Sequence, residues 1–547
     1  MAISKNKSIF SLILFSAVAV TLVGTPMWNK DALVIPKVII LFLVALYLTP
    51  IVLKKSKTIT KNRISKFFIV ILSLLLVQYI AVVITSSAPI EQQIFGRSGR
   101  GIGLITLLSI ACMILASALF IEENKVKTII TMLALAGFVS ALYGILQSYG
   151  LDPLAWEAKN NRVIGTLGNP NFQSSILAMS FMPILVYGSK FKYRFIAIIF
   201  FISLIIFAIY RAESTQGYIG IILSASTFII IFIWYKTRIG FFLVLTLVAS
   251  SGLIAILGML DKGPLSTYLY KQSVQSRGDF WRSAFSAAND HPFFGVGLDS
   301  FGDYFLKYRD QRAVNHPFFE FTDSAHNYLL DYAVTGGFFL LILNLALIIL
   351  TIYSFLQLQK KYNGFDANLS SLFCVFVVFQ AQSMISPFNI SLMLWNAIVM
   401  GSIIGLNIYK NDEQKTGINK DNSINSSIYS FFAVFLGILL VFPYFNSDRL
   451  QLLSMKNGDG DLAIKSTKMY PESVVRYSVM SRELLHSGLK IQSLDLARSA
   501  VKFNSNSPAL WALILVNPEA PLSERKFAQE QILKLDPLNV EVKKYFD

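Results

Sequence analysis

Cysteine is almost missing from this 547-residue chain. Its two copies, Cys112 and Cys374, both fall inside apolar runs. They read as small hydrophobes, and no disulfide framework is implied. Charge is scarce as well. Only 15% of residues are Asp, Glu, Lys or Arg, against about 25% in an ordinary soluble domain. Alternating segments of about 10 residues, the mark of a membrane β-barrel, are also lacking. What fills the chain is apolar: 54% hydrophobic residues and a mean hydropathy of +0.56. These residues gather in runs long enough for a helix to cross about 30 Å of hydrocarbon. The absences exclude a soluble globular protein and a barrel. They leave an all-α fold, a polytopic bundle of membrane helices.

Apolar segments cover approximately 9–24, 33–52, 67–86, 102–121, 128–147, 172–188, 194–210, 217–235, 239–258, 332–355, 369–387, 391–408 and 427–445. They predict about 12–13 spans. The first run is short and follows Lys5 and Lys7. It reads as a retained helix rather than a cleaved signal, because further spans follow at once. With the N-terminus inside, the inside loops hold Lys54, Lys55, Lys57, Lys61, Arg63 and Lys66, then Lys125 and Lys127. Lys190, Lys192 and Arg194 follow, then Lys236 and Arg238, Lys360 and Lys361, and Lys410, Lys415 and Lys420. The short outside loops hold only Lys30, Arg97, Arg100, Lys159, Arg162 and Arg211. This bias puts the 259–331 loop on the outer side of the cytoplasmic (inner) membrane, and an odd number of spans puts the tail there too. It also accounts for the net charge of +16 without a nucleic-acid partner, which would need a soluble basic face.

The expected organisation is a membrane domain over 1–446, interrupted by the external loop 259–331, and a soluble helical tail over 447–547. The tail resembles tetratricopeptide hairpins in Tyr470-Pro471, Tyr477, Gly488, Ala497 and Ala500, a break at 505–508, and Trp511. A small helical cap is the plainer reading. If the repeats are real, the tail offers a surface for a protein partner.

The side that should be depleted of cations is instead dotted with arginines. Arg97 and Arg100 lie in GRSGRGIG (96–103), Arg162 in RVIGTLGNPNF (162–172), and Arg211 in YRAESTQG (210–217). In the long loop, Arg277 and Trp281 stand four apart on one helix face, with Arg282 beside them. An isolated Arg at a helix end is usually a snorkelling side chain. A set of guanidinium forks on the outer side instead suits a lipid-linked pyrophosphate. Gly165, Gly168 and Asn169-Pro170-Asn171 add a turn before a helix, expected to turn backbone N–H groups toward an anion.

His326, in FTDSAHNYLLDYAVTGG (321–337), is the leading candidate for proton transfer. Thr322 or Asp323 is expected to cap the following helix, with His326 in its first turn. The positive helix end would keep the ring neutral, and Asn327, Asp323 or Asp331 would orient it. An interfacial His can also be a simple boundary residue. His291 and His316 each precede proline, as loop residues do, and His486 reads as solvated.

These residues resemble the bacterial O-antigen ligase and polymerase superfamily. The likeness lies in Arg277-x-x-x-Trp281, HPFFGVGLDSFGDYF (291–305), His326-Asn327, TLGNPNF (166–172) and GRSGRGIG. It implies a membrane glycosyltransferase of the C type. Such an enzyme moves a glycan from undecaprenyl diphosphate to an acceptor, without metal or other cofactor. By the same resemblance, Arg211 and Arg277 would hold the diphosphate and His326 would activate the acceptor hydroxyl. Arg97, Arg100, Arg162, Asn169, Asn171, Trp281, Arg282 and Asn327 would line the substrate. The acceptor, a glycan, a lipid or a protein, decides between ligase and polymerase.

Three rivals remain at this stage, one of them a purely structural role with the tail as a docking platform, which would leave the arginines and the histidine without a purpose. A metal-dependent relative would need acidic residues in the first outside loop, where Asp31 stands alone. Asp459-Gly460-Asp461 reads as a turn. A polysaccharide or lipid-linked sugar transporter would show repeated halves or a buried acidic relay, and neither is visible.

Overall fold

The computed structural model describes residues 2–57, 62–154, 163–315, 320–362, 364–410 and 424–546. Its first half runs α1 (Ala2–Leu22), α2 (Ile35–Ser56), α3 (Arg63–Thr85), α4 (Ile90–Phe95), α5 (Leu104–Phe120), α6 (Glu123–Ser148), α7 (Pro170–Gly188), α8 (Arg194–Arg211), α9 (Thr215–Trp234) and α10 (Arg238–Met259). The polar loop carries α11 (Ser266–Leu269), α12 (Gln272–Asp290), α13 (Phe301–Tyr308) and α14 (Gln311–Asn315). Membrane helices resume with α15 (Tyr328–Lys361), α16 (Ala367–Ser383), α17 (Ile390–Lys410) and α18 (Ile424–Asn457). The tail holds α19 (Gly460–Lys468), α20 (Val474–His486), α21 (Lys490–Phe503), α22 (Pro508–Leu515), α23 (Leu522–Leu535) and α24 (Val540–Lys543).

The protein is all-helical, and each apolar segment read from the sequence falls on a helix. Among the described residues nine helices are long and apolar enough to cross a membrane, and Ser8–Leu22, Leu104–Phe120 and Ala367–Ser383 are shorter apolar helices. The chain is a multi-pass membrane protein. α17 is buried along its length, whereas α10 is exposed along its length. A helix apolar on all sides belongs inside a bundle or against lipid, and these two take the two options.

The helix ends gather on two faces. On one, Lys410 pairs with Glu123 at 2.8 Å, and Lys125 Nζ donates to the Phe120 carbonyl at 3.0 Å. On the other, Thr166 Oγ1 donates to the Thr21 carbonyl at 2.7 Å. There Ser391 Oγ donates to the Val20 carbonyl at 2.9 Å. The second face receives the polar loop and the tail. Lys61, Lys159, Lys415 and Lys420, used above for orientation, lie outside the described residues.

α15 is broken at Gly337, whose φ of 79° interrupts the helix. Only glycine takes this angle cheaply, and a Cβ here would stand 2.3 Å from the Phe293 carbonyl oxygen. HPFFGVG lies in the break. Val296 N–H donates to the Val334 carbonyl and Phe338 N–H to the Pro292 carbonyl, each at 2.8 Å. Gln78 of α3 donates to the carbonyls of Phe293 and Gly336, also at 2.8 Å. The loop backbone is therefore stitched into the bundle rather than resting on it.

The tail has its own apolar core around Tyr477, Met480, Ala497, Ala500 and Leu510. α20 packs on α21 and α22 on α23, and the break between the pairs falls at 504–507. Asp459 N-caps α19 by accepting from Leu462 N–H, so Asp459-Gly460-Asp461 is a helix start.

Candidate functional site

Asn327, not Thr322 or Asp323, caps α15. Its side chain accepts from Leu329 and Leu330 N–H at 3.1 and 3.2 Å. This corrects the sequence expectation on two counts. His326 stands before the helix rather than in its first turn, and the Asn327 amide oxygen serves the helix rather than the ring. Asn is as good a cap as Asp or Ser, so the later of the competing positions won.

His326 has a left-handed backbone, φ 50°. Its Nδ1 lies 3.3 Å from the Ser324 carbonyl and 3.4 Å from Thr322 Oγ1. A carbonyl can only accept, so Nδ1 carries the hydrogen and Nε2 is the basic nitrogen. The orienting groups are Ser324 and Thr322, of which the sequence reading named only Thr322, and as a helix cap. Asp331 acts one step back, accepting from Ala325 N–H at 2.8 Å. The ring packs on Phe280 with centroids 5.2 Å apart. Burial pushes the imidazole down to about 4. The Arg277 and Arg100 charges act the same way, against the Ser324 hydrogen bond and Asp323. The ring is thus neutral at pH 7 for reasons of burial and charge.

Phe280 sits on α12 three residues after Arg277 and next to Trp281, so the ring that meets His326 and the guanidinium whose charge reaches it share one helix face. Burial holds the Arg277 guanidinium below its usual range, partly offset by Glu320. Arg277 Nε and Trp281 Nε1 are buried with no hydrogen-bond partner among the described residues. Arg282 behaves differently. Its fork closes on Asp310 at 2.6 Å and Asp279 at 2.5 Å, so it braces the loop instead of facing a substrate.

Arg97 and Arg100 are likewise occupied. Arg97 Nη1 donates to Asp303 Oδ1 at 2.9 Å. Arg100 Nε donates to Asp299 Oδ1 at 2.7 Å, and its Nη1 to Asp323 Oδ1 at 3.3 Å. The Asp299 carboxylate also accepts from Arg97 and Ile102 N–H at 2.8 and 3.1 Å. Burial alone would raise Asp323, but Arg100 and Arg97 hold its carboxyl below the ordinary range. Gly302 permits the crossing: a Cβ there would stand 3.2 Å from Arg97 Cζ. Asp299 and Asp303 belong to the 291–305 motif, and their spacing against Arg97 and Arg100 was the signal that could have found them. Arg97 and Arg100, read as phosphate forks, are therefore carboxylate-bound.

The 163–172 turn is also occupied. The N–H groups of Ile164 and Gly165 both donate to Gln147 Oε1 at 2.8 Å, so they do not form an open anion cradle. Asn169 caps α7, and Asn171 Oδ1 accepts from Ser214 Oγ at 2.9 Å. Arg211 donates to Ser148 Oγ and the Ser148 carbonyl at 2.9 and 2.8 Å and stands over the Tyr149 ring. It shares the face of His326, but the arginines whose charges bear on His326 are Arg277 and Arg100. Arg162 and His316 lie outside the described residues. The Asp31 carboxylate accepts from Gly99 and Val34 N–H at 2.8 and 3.1 Å. Among the described residues no three His, Cys, Asp or Glu side chains gather as metal ligands do.

What gathers at this face is one neutral imidazole with a free basic nitrogen, one guanidinium and an indole N–H with donors to spare, and a frame of carboxylate-bound arginines around them. Residues 198–345 match the family profile described as O-antigen ligase. That span runs from within α8 through Arg211, the whole polar loop and the first half of α15. No match was found among curated proteins. The family match supports a glycosyltransferase-like, ligase or polymerase role.

Proposed function

We propose, from the match of residues 198–345 to the O-antigen ligase family model, that the protein transfers a glycan from a polyprenyl diphosphate to an acceptor hydroxyl at the outer face of the cytoplasmic membrane. The observation that carries the reading is the neutral His326 ring under the charge of Arg277, whose Nε, like the Trp281 N–H on the same helix, has no partner among the described residues. His326 Nε2 takes the proton as the acceptor oxygen bonds to the anomeric carbon. The bond from that carbon to the diphosphate oxygen breaks, and its electron pair leaves with the diphosphate. One displacement inverts the anomeric centre. Negative charge grows on the leaving group, where Arg277 and the Trp281 N–H stabilise it. Arg211 supplies a second guanidinium on the same face.

No step calls on a metal: the proton goes to His326 and the charge to Arg277. The Asp31 carboxylate, the rival metal ligand, already serves two backbone N–H groups. The outer location rests on the lysine bias of the opposite face.

The test uses the full chain in liposomes with a defined polyprenyl-diphosphate glycan and lipid, glycan and peptide acceptors. His326→Ala is expected to lower transfer by about 10²–10⁴-fold with donor binding unchanged. Near-normal transfer by this variant ends the reading. The acceptor that is used separates ligase from polymerase.

A further inference from the structure

The tail meets the loop at two matching points. Asn504 is the C-cap of α21, and its amide donates to Asp303 Oδ2 at 3.0 Å in a buried contact. Asp536 is the C-cap of α23, and it accepts from Nε and Nη2 of Arg309 at 3.0 Å each. The Arg309 and Asp536 side chains are 8% and 2% exposed. α21 and α23 are each the second helix of a pair, and each has 14 residues. Equivalent ends of two helical hairpins thus hold the two ends of α13, Asp303 near its start and Arg309 at its C-cap. The two points lie about 9 Å apart along the axis of α13, the scale on which stacked helix pairs repeat. Ser98 Oγ and Ser473 Oγ add a third bond at 2.8 Å beside the Arg97–Arg100 turn.

We propose that the tail positions the transfer site. By gripping α13 it holds Asp303 and Asp299 against Arg97 and Arg100, and through Arg100 it fixes Asp323 and the His326 loop. Asn504, Arg309 and Asp536 are positioning residues, acting through the carboxylate frame and touching no substrate. The inference rests on the reading of His326 as the base.

Loosening the grip admits water to the loop. The groups facing His326 are Arg277 of α12, Arg100 before α5 and Asp323 of its own loop. Burial is the largest influence on the ring, so wetting it moves the acid limb of the pH profile upward.

The experiment compares Asn504→Ala, Arg309→Asp, Asp536→Arg and the double charge swap as full-length protein in liposomes, with kcat expressed per folded molecule. Each single variant is expected to lower kcat about ten- to hundredfold, to leave donor KM within about twofold, and to raise the acid limb. The double swap is expected to recover most of the lost kcat. Wild-type kcat and pH profile in the single variants overturn the proposal. So does a loss confined to KM, or one that disappears once folded protein is counted, or a double swap no better than its parents with an unmoved limb. His326→Ala, run alongside, separates the two failures. Activity in that variant removes the reading of the site, whereas an inactive His326→Ala with neutral tail variants removes only the tail proposal.

Discussion

Arg100 and Arg277 both press their charge on the His326 ring, yet they come from regions built on opposite principles. The 96–103 turn is saturated. Its two guanidiniums and two of its N–H groups end on Asp299, Asp303 and Asp323. The face of α12 is unsaturated, with donors on Arg277 and Trp281 that meet nothing in the described chain. A buried cation surrounded by carboxylates is a scaffold, because its charge is already compensated. A half-buried cation whose only carboxylate neighbour is the exposed Glu320 is poised for an anion that arrives. Residue type and location are the same in both regions, so the partners decide the role.

The largest expected effect breaks the saturated region. Arg100→Gln leaves the Asp299 carboxylate, 1% exposed, without its cation. It is expected to cost about 3–5 kcal/mol of stability, seen as a lower thermal midpoint in detergent before any assay. Arg277→Ala makes the converse case. Transfer is expected to fall about 10²–10³-fold with the thermal midpoint unchanged, since no carboxylate is orphaned. Arg277→Lys should recover only part of the loss, because an ammonium lacks the planar fork. If Arg277→Ala instead unfolds the protein, the contrast between the two regions is wrong.

A smaller effect sharpens it. His326 must be deprotonated to act, so kcat/KM of the free enzyme is expected to fall as pH drops through about 4. An unperturbed histidine would place that limb near about 6.5. Arg277→Ala removes a positive neighbour and is expected to move the limb upward, which a profile of the residual activity would reveal. The smallest effect is that of Arg282→Ala. Its side chain is 39% exposed, as is that of Asp310, so the pair is worth about 0–1 kcal/mol and transfer should stay within about threefold of wild type.

The spans were legible because hydrocarbon imposes one length and one composition on every crossing helix. The lysine bias similarly separated the two faces. What escaped was the use made of each polar group. Arg97, Arg100 and Arg277 look alike in the sequence, and only tertiary contact separates those spent on carboxylates. Asp299 and Asp303 were on view within the 291–305 motif, but their partners lie some 200 positions away. The His326 loop was misplaced by a few residues because four capping residue types stand within Thr322–Asn327, and local propensity does not rank them.

The break in α15 has a consequence for where the loop lives. Gln78, which holds Phe293 and Gly336, lies about seven residues inside the end of α3, or roughly 10 Å down its axis. Non-helical backbone is tolerated at such depth only when protein satisfies it, as Gln78, Val334 and Phe338 do here. At that depth the side chain of Phe293, 72% exposed, is expected to meet acyl chains rather than water. On the proposed reading the segment acts as a keel, and the height of His326 above the lipid is set by the bilayer as much as by the polypeptide.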